Sequence, residues 1–163
     1  MILRPATPAD FPAIRAIADA PQHRLLITDE DETALAAYLT DPHARLFMLD
    51  IGTDTAAGFA LFCELDSRAR AVELRRLALR ETGMGRGRAF VQMLTDYAFN
   101  SLGAARVWLD TGVDNLRAQK VYESVGYLRE GCLRQHGYIA ALEKPVDELI
   151  YGILRAEWTA KRG

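Results

Sequence analysis

Three glycines at a spacing of two, Gly83, Gly85 and Gly87, are the residues whose type and spacing first suggest chemistry. They stand between a β-like run, Val72 to Leu79, and the pattern of an amphipathic helix. A loop without side chains lets a ligand approach the backbone, and a helix start adds unpaired N–H groups and positive dipole charge. This combination predicts an anion site, best suited to a phosphate or pyrophosphate. The residues expected to form it are Thr82, Gly83, Met84, Gly85, Arg86, Gly87, Arg88 and Ala89.

Two common phosphate-binding fingerprints do not fit these glycines. The dinucleotide pattern needs a small residue where Arg88 or Phe90 stands, depending on the register. The dinucleotide pattern also normally lies in the first strand–helix unit of a parallel sheet, whereas in this sequence hairpin-like strands precede the glycines. A Walker loop fails because no Lys-Ser or Lys-Thr pair follows the glycines. Asp110 ends a later strand, and its position only roughly matches that of the acidic residue that binds the ribose in dinucleotide-binding proteins. By itself the glycine loop is also compatible with a plain strand-to-helix turn.

A second motif lies downstream, where the segment Asn115–Tyr127 contains the pattern Asn-x-x-Ala-x-x-x-Tyr-x-x-x-Gly-Tyr. The glycine loop contains the pattern Arg80-x-x-Gly83-x-Gly85. Together the two motifs resemble the GNAT superfamily of N-acetyltransferases, in that family's order and with a strand between them. A second register of the loop, through Gly85 and Gly87, matches the family's helix start better but puts a threonine where Gln or Arg is usual.

The resemblance covers nearly the whole chain. It extends from the segment Arg4–Thr7, with an aspartate shortly after it, to the segment Glu130–Arg134. That last segment and the ending from Tyr151 to Trp158 resemble the branch that includes the ribosomal-protein N-terminal acetyltransferases. We therefore expect that branch within the superfamily.

The resemblance implies acetyl transfer from acetyl-CoA to a primary amine by direct attack. Such an amine must lose a proton to a base or a water chain. Glu73 lies four residues before the strand end Leu77–Leu79, which is the position of the catalytic base in the family. Glu64 is a second candidate for the base. The other interpretation of Glu73 is a glutamate that faces solvent. A backbone N–H near Leu77 would hold the oxyanion. Tyr122 is the implied acid for the thiolate, although it also lies on the apolar face of its helix, as a core tyrosine would.

The resemblance places acetyl-CoA, with no metal, in a V-shaped split of the sheet. The pantetheine amides would pair with the backbone of Leu77, Ala78 and Leu79. Asn115 and Ala118 would contact the pantetheine, although Asn115 could also cap its helix. The pyrophosphate would rest on the glycine loop, whose arginines would add charge-assisted bonds.

The acceptor is less specified. Its site would be built from three segments, Pro21–Asp31, Ala57–Leu65 and Arg134–Pro145. The segment Arg134–Pro145 is expected to be a long connection between strands, which either is solvated or lines the acceptor pocket. The acceptor stays open between a peptide N-terminus and a small amine such as a polyamine, an amino acid or a drug. A non-catalytic acyl-CoA-binding or sensing domain is the alternative function. Glu73 and Tyr122 favour an enzyme, because a binding domain needs neither.

Composition narrows the partners and the location. The 163 residues are 50% hydrophobic and 26% charged, and the formal net charge of -2 indicates no binding to nucleic acid or anionic membrane. Two cysteines favour free thiols, and three dispersed histidines do not suggest a metal site. There is no apolar run of membrane-span length and no signal-peptide pattern at the N-terminus, so we expect a cytoplasmic protein. A homodimer is compatible with the resemblance, because the family often pairs through its C-terminal strands.

Periodicity predicts the elements that must position these residues. Strands are expected at Ile2–Arg4, Arg45–Asp50, Ala57–Leu65, Ala71–Leu79, Arg106–Asp110, Tyr127–Leu133 and Asp147–Leu154. Helices are expected at Asp10–Ala20, at Asp29–Leu39, after the glycines and at Asn115–Val125. This order predicts one α/β domain over residues 1–163, with a mixed, mostly antiparallel sheet of six to seven strands and helices on both faces. The resemblance adds a splay between the strands near 72–79 and 106–110.

The strand before the glycines contains a phase slip. Its apolar spacing changes from two to three between Leu74 and Leu77, which would turn the buried face outward. A β-bulge near Arg75–Arg76 would absorb the slip and free a backbone group for a ligand. A twisted edge strand that exposes both arginines is the other interpretation.

Overall fold

The computed structural model describes residues 1–27 and 30–161. In this part of the chain the strands are Ile2–Pro5 (β1), Arg45–Ile51 (β2), Asp54–Cys63 (β3), Ala71–Leu79 (β4), Arg106–Gly112 (β5), Leu128–Ile139 (β6) and Lys144–Leu154 (β7). The α-helices are Phe11–Ala18 (α1), Glu32–Thr40 (α2), Arg86–Asn100 (α3), Leu116–Val125 (α4) and Arg155–Ala160 (α5). Short 3-10 helices lie at Pro8–Asp10 and Ala140–Leu142.

The seven strands form one sheet in the order β1-β2-β3-β4-β5-β7-β6. Neighbouring strands are antiparallel except for β4 and β5, which are parallel. This confirms the predicted mixed, mostly antiparallel sheet. No helix in the described part of the chain is both long and apolar enough to cross a membrane.

The core lies on both faces of the sheet. On one face α3 and α4 pack against residues such as Phe62 and Val107. On the other, α1 and α2 pack against Met48 and Leu61. Successive side chains of a strand point to opposite faces, so the adjacent Leu61 and Phe62 belong to different clusters. Helices therefore cover both faces of the sheet, as predicted.

The central strands β4 and β5 pair over only three residues. Ala71 to Glu73 lie opposite Arg106 to Trp108, and beyond them the ladder ends. In the antiparallel pair with β3, Leu61 faces Arg76 while Phe62 faces Leu74, so Arg75 is the additional residue of a bulge. Both the predicted bulge and the predicted splay are confirmed.

The C-terminal hairpin differs from the prediction. The long connection expected at Arg134–Pro145 is wrong, because β6 and β7 continue through most of it and join at the turn that contains the 3-10 helix. Glu143 takes a left-handed φ of 49° at this turn, and Gln135 takes a φ of 53° where the β6 register shifts. Most of β6 is exposed, so its sequence carries no apolar alternation that would predict a long strand.

Two helices also depart from expectation. Helix α2 begins at Glu32, after Asp31 accepts a hydrogen bond from the Ala34 N–H at 2.8 Å; the predicted start at Asp29 lies outside the described residues. Helix α5 was not predicted. It begins where the Leu154 N–H donates to the side chain of Glu157.

Candidate active site

A cavity of about 440 Å3 opens where β4 and β5 separate. The end of β4, the glycine loop, the end of β5 and the starts of α3 and α4 line it. It brings together nearly all of the predicted cofactor-binding residues: Leu77, Ala78, Leu79, Thr82, Gly83, Met84, Gly85, Arg86, Gly87, Arg88, Asn115, Ala118 and Tyr122. Two predicted site residues, Ala89 and Glu73, are not among the lining residues.

The glycine loop is shaped by two of its three glycines. Gly83 and Gly85 have φ values of 83° and 70°, in the left-handed region that L side chains rarely adopt. Gly87 lies inside α3, and a Cβ added there would be 3.5 Å from a methyl of Val121, an ordinary contact. Gly85 is also the N-cap of α3 and supplies no side-chain acceptor. The first N–H groups of α3 therefore remain available to an anion.

Three arginines add positive charge to this end of the cavity. Arg86, Arg88 and Arg117 line it. The guanidinium of Arg86 lies 3.8 Å from the carboxylate of Glu81, and both side chains are exposed. Such a loose surface pair contributes little, so Arg86 can turn to a phosphate.

The end of β4 presents backbone groups to the split. The Arg80 N–H donates to the Ala57 carbonyl of β3 at 2.8 Å. Because polar groups alternate along an antiparallel strand, those of Leu77 and Leu79 point away from β3, towards the split. The Leu79 carbonyl accepts a hydrogen bond from His23 Nε2 at 2.8 Å.

His23 was not predicted as a site residue. It lines the cavity and is 4% exposed, and its burial lowers the pKa of the imidazole. Its contact with Leu79 arises from a segment far away in sequence, so no local pattern would have identified it.

The start of α4 carries two predicted residues. The Asn115 side-chain oxygen accepts a hydrogen bond from the Ala118 N–H at 3.2 Å, which confirms the helix cap and leaves the amide N–H groups for a ligand. Tyr122 is 6% exposed, and its ring lies 6.2 Å from that of Tyr127 and 5.8 Å from that of Tyr151. Burial raises the pKa of Tyr122, so its hydroxyl keeps its proton.

The glutamates predicted from sequence lie beside the cavity, not in its walls. Glu73 is 6% exposed and accepts a 2.9 Å hydrogen bond from Arg75 Nε, so the solvent-facing interpretation is wrong. Burial raises the pKa of Glu73, while Arg75 opposes the shift. Glu64 accepts a hydrogen bond from Trp108 Nε1 at 3.3 Å.

Besides Glu81, two carboxylates line the cavity, Asp110 of β5 and Glu148 of β7. Burial raises the pKa of each, and the charge of Asp110 raises that of Glu148 further. Arg76 and His136 act in the opposite direction on both. A half-buried acid pair with a raised pKa can take a proton from a cationic ligand or hold its charge. Asp110 has a sequence signal, since it directly follows the apolar run Val107–Leu109, whereas Glu148 has none.

One of the three segments expected to build the acceptor site lines this cavity. Pro21–Asp31 contributes His23, Leu26 and Ile27 to its walls. Arg134–Pro145 contributes no lining residue, although the charge of His136 acts on the carboxylate of Glu148, which lies on β7 beyond that segment. Ala57–Leu65 contributes no lining residue. Among residues 1–27 and 30–161, no group of three or more potential metal ligands comes together.

Residues 11–127 match the Acetyltransferase (GNAT) family. The chain belongs to the GNAT family. The enzyme class predicted from the two motifs is thereby confirmed, as is acetyl-CoA, the cosubstrate that GNAT acetyltransferases use.

Named relatives agree with this assignment. The chain is 33% identical over 124 residues to an uncharacterised N-acetyltransferase of Mycobacterium tuberculosis, covering 74% of this chain and 78% of the relative. It is 26% identical over 112 residues to a spermidine N(1)-acetyltransferase of Vibrio cholerae, covering 68% of this chain. The matched part spans 65% of that enzyme's length.

Solved structures show the same fold. The spermidine N-acetyltransferase of Vibrio cholerae in complex with CoA and spermine superposes with a TM-score of 0.85, at 20% identity and over 97% of both chains. A variant of that enzyme superposes with a TM-score of 0.84 over the full length of both chains, at 19% identity. These comparisons support the GNAT family and do not support the ribosomal-protein branch. Pairing of two chains through the C-terminal strands stays a prediction.

Proposed function

We propose that this chain transfers the acetyl group of acetyl-CoA to the primary amine of a small molecule. One observation carries the proposal: the cavity in the split of the sheet is lined both by the start of α3, whose N-cap Gly85 supplies no side-chain acceptor, and by two carboxylates with raised pKa values. The helix start suits the phosphates of a CoA thioester, and the two carboxylates suit an amine. A small amine is favoured over a peptide N-terminus because a named relative acts on spermidine.

The proposed seat of acetyl-CoA uses the register through Gly83 and Gly85. Both have the left-handed φ values that shape the loop, and α3 starts immediately afterwards. The pyrophosphate would accept hydrogen bonds from the first turn of α3, with Arg86 and Arg88 beside it. The pantetheine would run along the free edge of β4 as an added strand.

We assign Asp110 as the general base that takes a proton from the amine. An amine arrives mostly as an ammonium ion, which the carboxylates of Asp110 and Glu148 would attract. Asp110 takes one proton, and the nitrogen lone pair then attacks the thioester carbonyl. A C–N bond forms, and the carbonyl electrons move to an oxyanion that the Leu77 N–H would stabilise. The carbonyl re-forms as the C–S bond breaks, and Tyr122 gives its proton to the leaving sulfur. The attacking nitrogen loses its second proton to solvent, and Tyr122 regains a proton from solvent.

Glu73 and Glu64 remain candidates for the base through a water chain. The charges of Asp110 and Glu64 both act on Glu73, so the three acids are close to one another. Glu73, however, is already held by Arg75 at 2.6 Å. A paired carboxylate is a weaker base than an unpaired one, which favours Asp110.

The deciding experiment measures thiol release from acetyl-CoA against a panel of small amines and N-terminal peptides. We expect turnover on at least one small amine and a large loss in Tyr122→Phe. Tight binding of acetyl-CoA without turnover on any acceptor would instead establish the alternative, a non-catalytic acyl-CoA-binding domain. Faster turnover on peptides than on every small amine would overturn the assignment of the acceptor.

A further inference from the structure

A second cavity, of about 600 Å3, lies beside the first. Its walls are the segment after α1, the start of α4 and the tip of the β6–β7 hairpin. The two cavities share Leu26, Ile27, Gly112, Asn115 and Glu148. A ligand whose amine meets Glu148 can therefore extend its remaining atoms into the second cavity.

The described walls of this second cavity are mainly apolar. Leu25, Tyr138 and Leu142 line it although they are 40%, 58% and 42% exposed. Large apolar side chains that remain exposed and converge on one cavity mark a binding site. The other apolar lining residues are Ala18, Leu26, Ile27, Val113, Ile139, Ala140, Ala141 and Val146.

The charged residues of these walls nearly balance. The acids are Asp19, Asp114 and Glu148, and the bases are Arg24 and Lys144. Because Glu148 is shared with the first cavity and is assigned to the reacting amine, only Asp19 and Asp114 remain, and they are balanced by Arg24 and Lys144. An acceptor with several ammonium groups would therefore meet no excess of negative charge here and would place charge against an apolar surface, which is unfavourable. An acceptor with one amine and an apolar body meets neither penalty.

We propose that the acceptor is a small hydrophobic monoamine, with its amine at Asp110 and Glu148 and its alkyl or aryl body in the second cavity. This inference rests on the proposed function and names its substrate class. It distinguishes the chain from the Vibrio cholerae relative, which is named for spermidine. The volume of the second cavity is in the range of pockets that take small molecules.

The first test compares kcat/KM of the wild-type protein for propylamine, hexylamine, 2-phenylethylamine and spermidine. We expect kcat/KM to rise by about fourfold for each methylene that becomes buried, so hexylamine exceeds propylamine by tenfold or more. Spermidine should be the poorest of the longer amines. A preference for spermidine, or no dependence on chain length, would overturn the inference while leaving acetyl transfer intact. Faster turnover of a hydrophobic dipeptide amide than of hexylamine would overturn its small-molecule part.

The second test uses Leu142→Ser, with Leu133→Ser as the matched control. Leu133 is 38% exposed, similar to Leu142, and lines neither cavity. We expect Leu142→Ser to lower kcat/KM for hexylamine by three- to tenfold with little change for propylamine, and Leu133→Ser to change neither. Equal losses in both variants would contradict the inference.

A binding measurement distinguishes a failure of the proposed acetyl transfer from a failure of the proposed apolar acceptor site. If no amine is acetylated, calorimetry of hexylamine with the CoA-loaded protein still reports on the second cavity. Binding that Leu142→Ser weakens would support the apolar site although the proposed catalysis fails. An absence of binding would overturn the inference as well.

Discussion

The carboxylate of Glu148 lies against the backbone of Gly137 on the adjacent strand. A Cβ added at Gly137 would be 2.3 Å from Glu148 Oε1 and 2.6 Å from Cδ. No side chain fits there while Glu148 keeps its position. The glycine thus determines where an acid common to both cavities lies.

Gly137→Ala should move the Glu148 carboxylate and reduce kcat/KM for the amine by about ten- to hundredfold, since small misplacements in a site are costly. The KM for acetyl-CoA should stay near the wild-type value. The side chain that must yield is flexible, so the change in Tm should be small. Gly131→Ala on the same strand, where a Cβ meets nothing within 4 Å, is the control. Similar kinetics in the two variants would show that the position of Glu148 is unimportant.

Asp110→Asn should lower kcat/KM by roughly 10²- to 10⁴-fold, the range of general acid–base contributions. In the wild type, the acidic limb of the kcat/KM profile should lie above the usual aspartate range, because burial raises the pKa of Asp110 and the base must be ionised. Steady-state rates against pH measure this. If Glu73→Gln produces the larger loss and removes the acidic limb, the base is Glu73.

Asp110→Asn should also stabilise the fold at neutral pH. The folded-state pKa of Asp110 is raised above its unfolded value, so ionisation opposes folding fully above the folded pKa and not at all below the unfolded value. The Tm gain should therefore be present near pH 7 and vanish as the pH falls below about 4. Thermal denaturation at several pH values measures it. A gain that is independent of pH would show that charge is not its cause.

Tyr122→Phe should reduce kcat by a factor of about 10² or more with little change in the dissociation constant of acetyl-CoA. The control is Tyr151→Phe, which removes a neighbouring hydroxyl that donates to Glu123 at 3.0 Å. Losing that bond should cost about 1 kcal/mol of unfolding free energy but little activity. Thiol-release kinetics and denaturant unfolding measure the two effects. Equal activity in both variants would assign Tyr122 a structural role.

Gly85→Ala should weaken CoA binding by about tenfold, because an L side chain in the left-handed region costs roughly 1–2 kcal/mol. Gly87→Ala should have a milder effect, since its Cβ makes only an ordinary contact. Calorimetry with CoA and with pantetheine tests the assignment. The penalty of Gly85→Ala should disappear with pantetheine, which lacks the pyrophosphate. A penalty that persists would place the loop against another part of the cofactor.

Local patterns predicted much of the site. The three glycines of the loop predicted a turn before a helix because glycine alone adopts left-handed φ values freely; that Gly83 and Gly85 take these values is known only from the structure. The bulge at Arg75 could be predicted because the spacing of apolar residues changes from two to three there. In a regular strand such a change would turn the following apolar side chains to the opposite face of the sheet. These features are encoded within about ten residues of sequence.

The acids of the site could not be predicted in the same way. Glu73 stood at the expected offset, yet Arg75 holds it beside the cavity, and Asp110 and Glu148 line the walls. Which strand residue reaches a cavity depends on where two parallel strands part and on which strands flank them. Neither condition is local.

The sequence by itself therefore determined the family, the glycine loop before α3 and the bulged strand, because each constrains consecutive residues. Only the tertiary structure decided that Glu148 rests on Gly137, that His23 binds the Leu79 carbonyl, and that an apolar cavity adjoins the acid pair. These contacts join segments far apart in the chain. The strand β6 that builds one wall is mostly exposed, so no hydrophobic period marks its length.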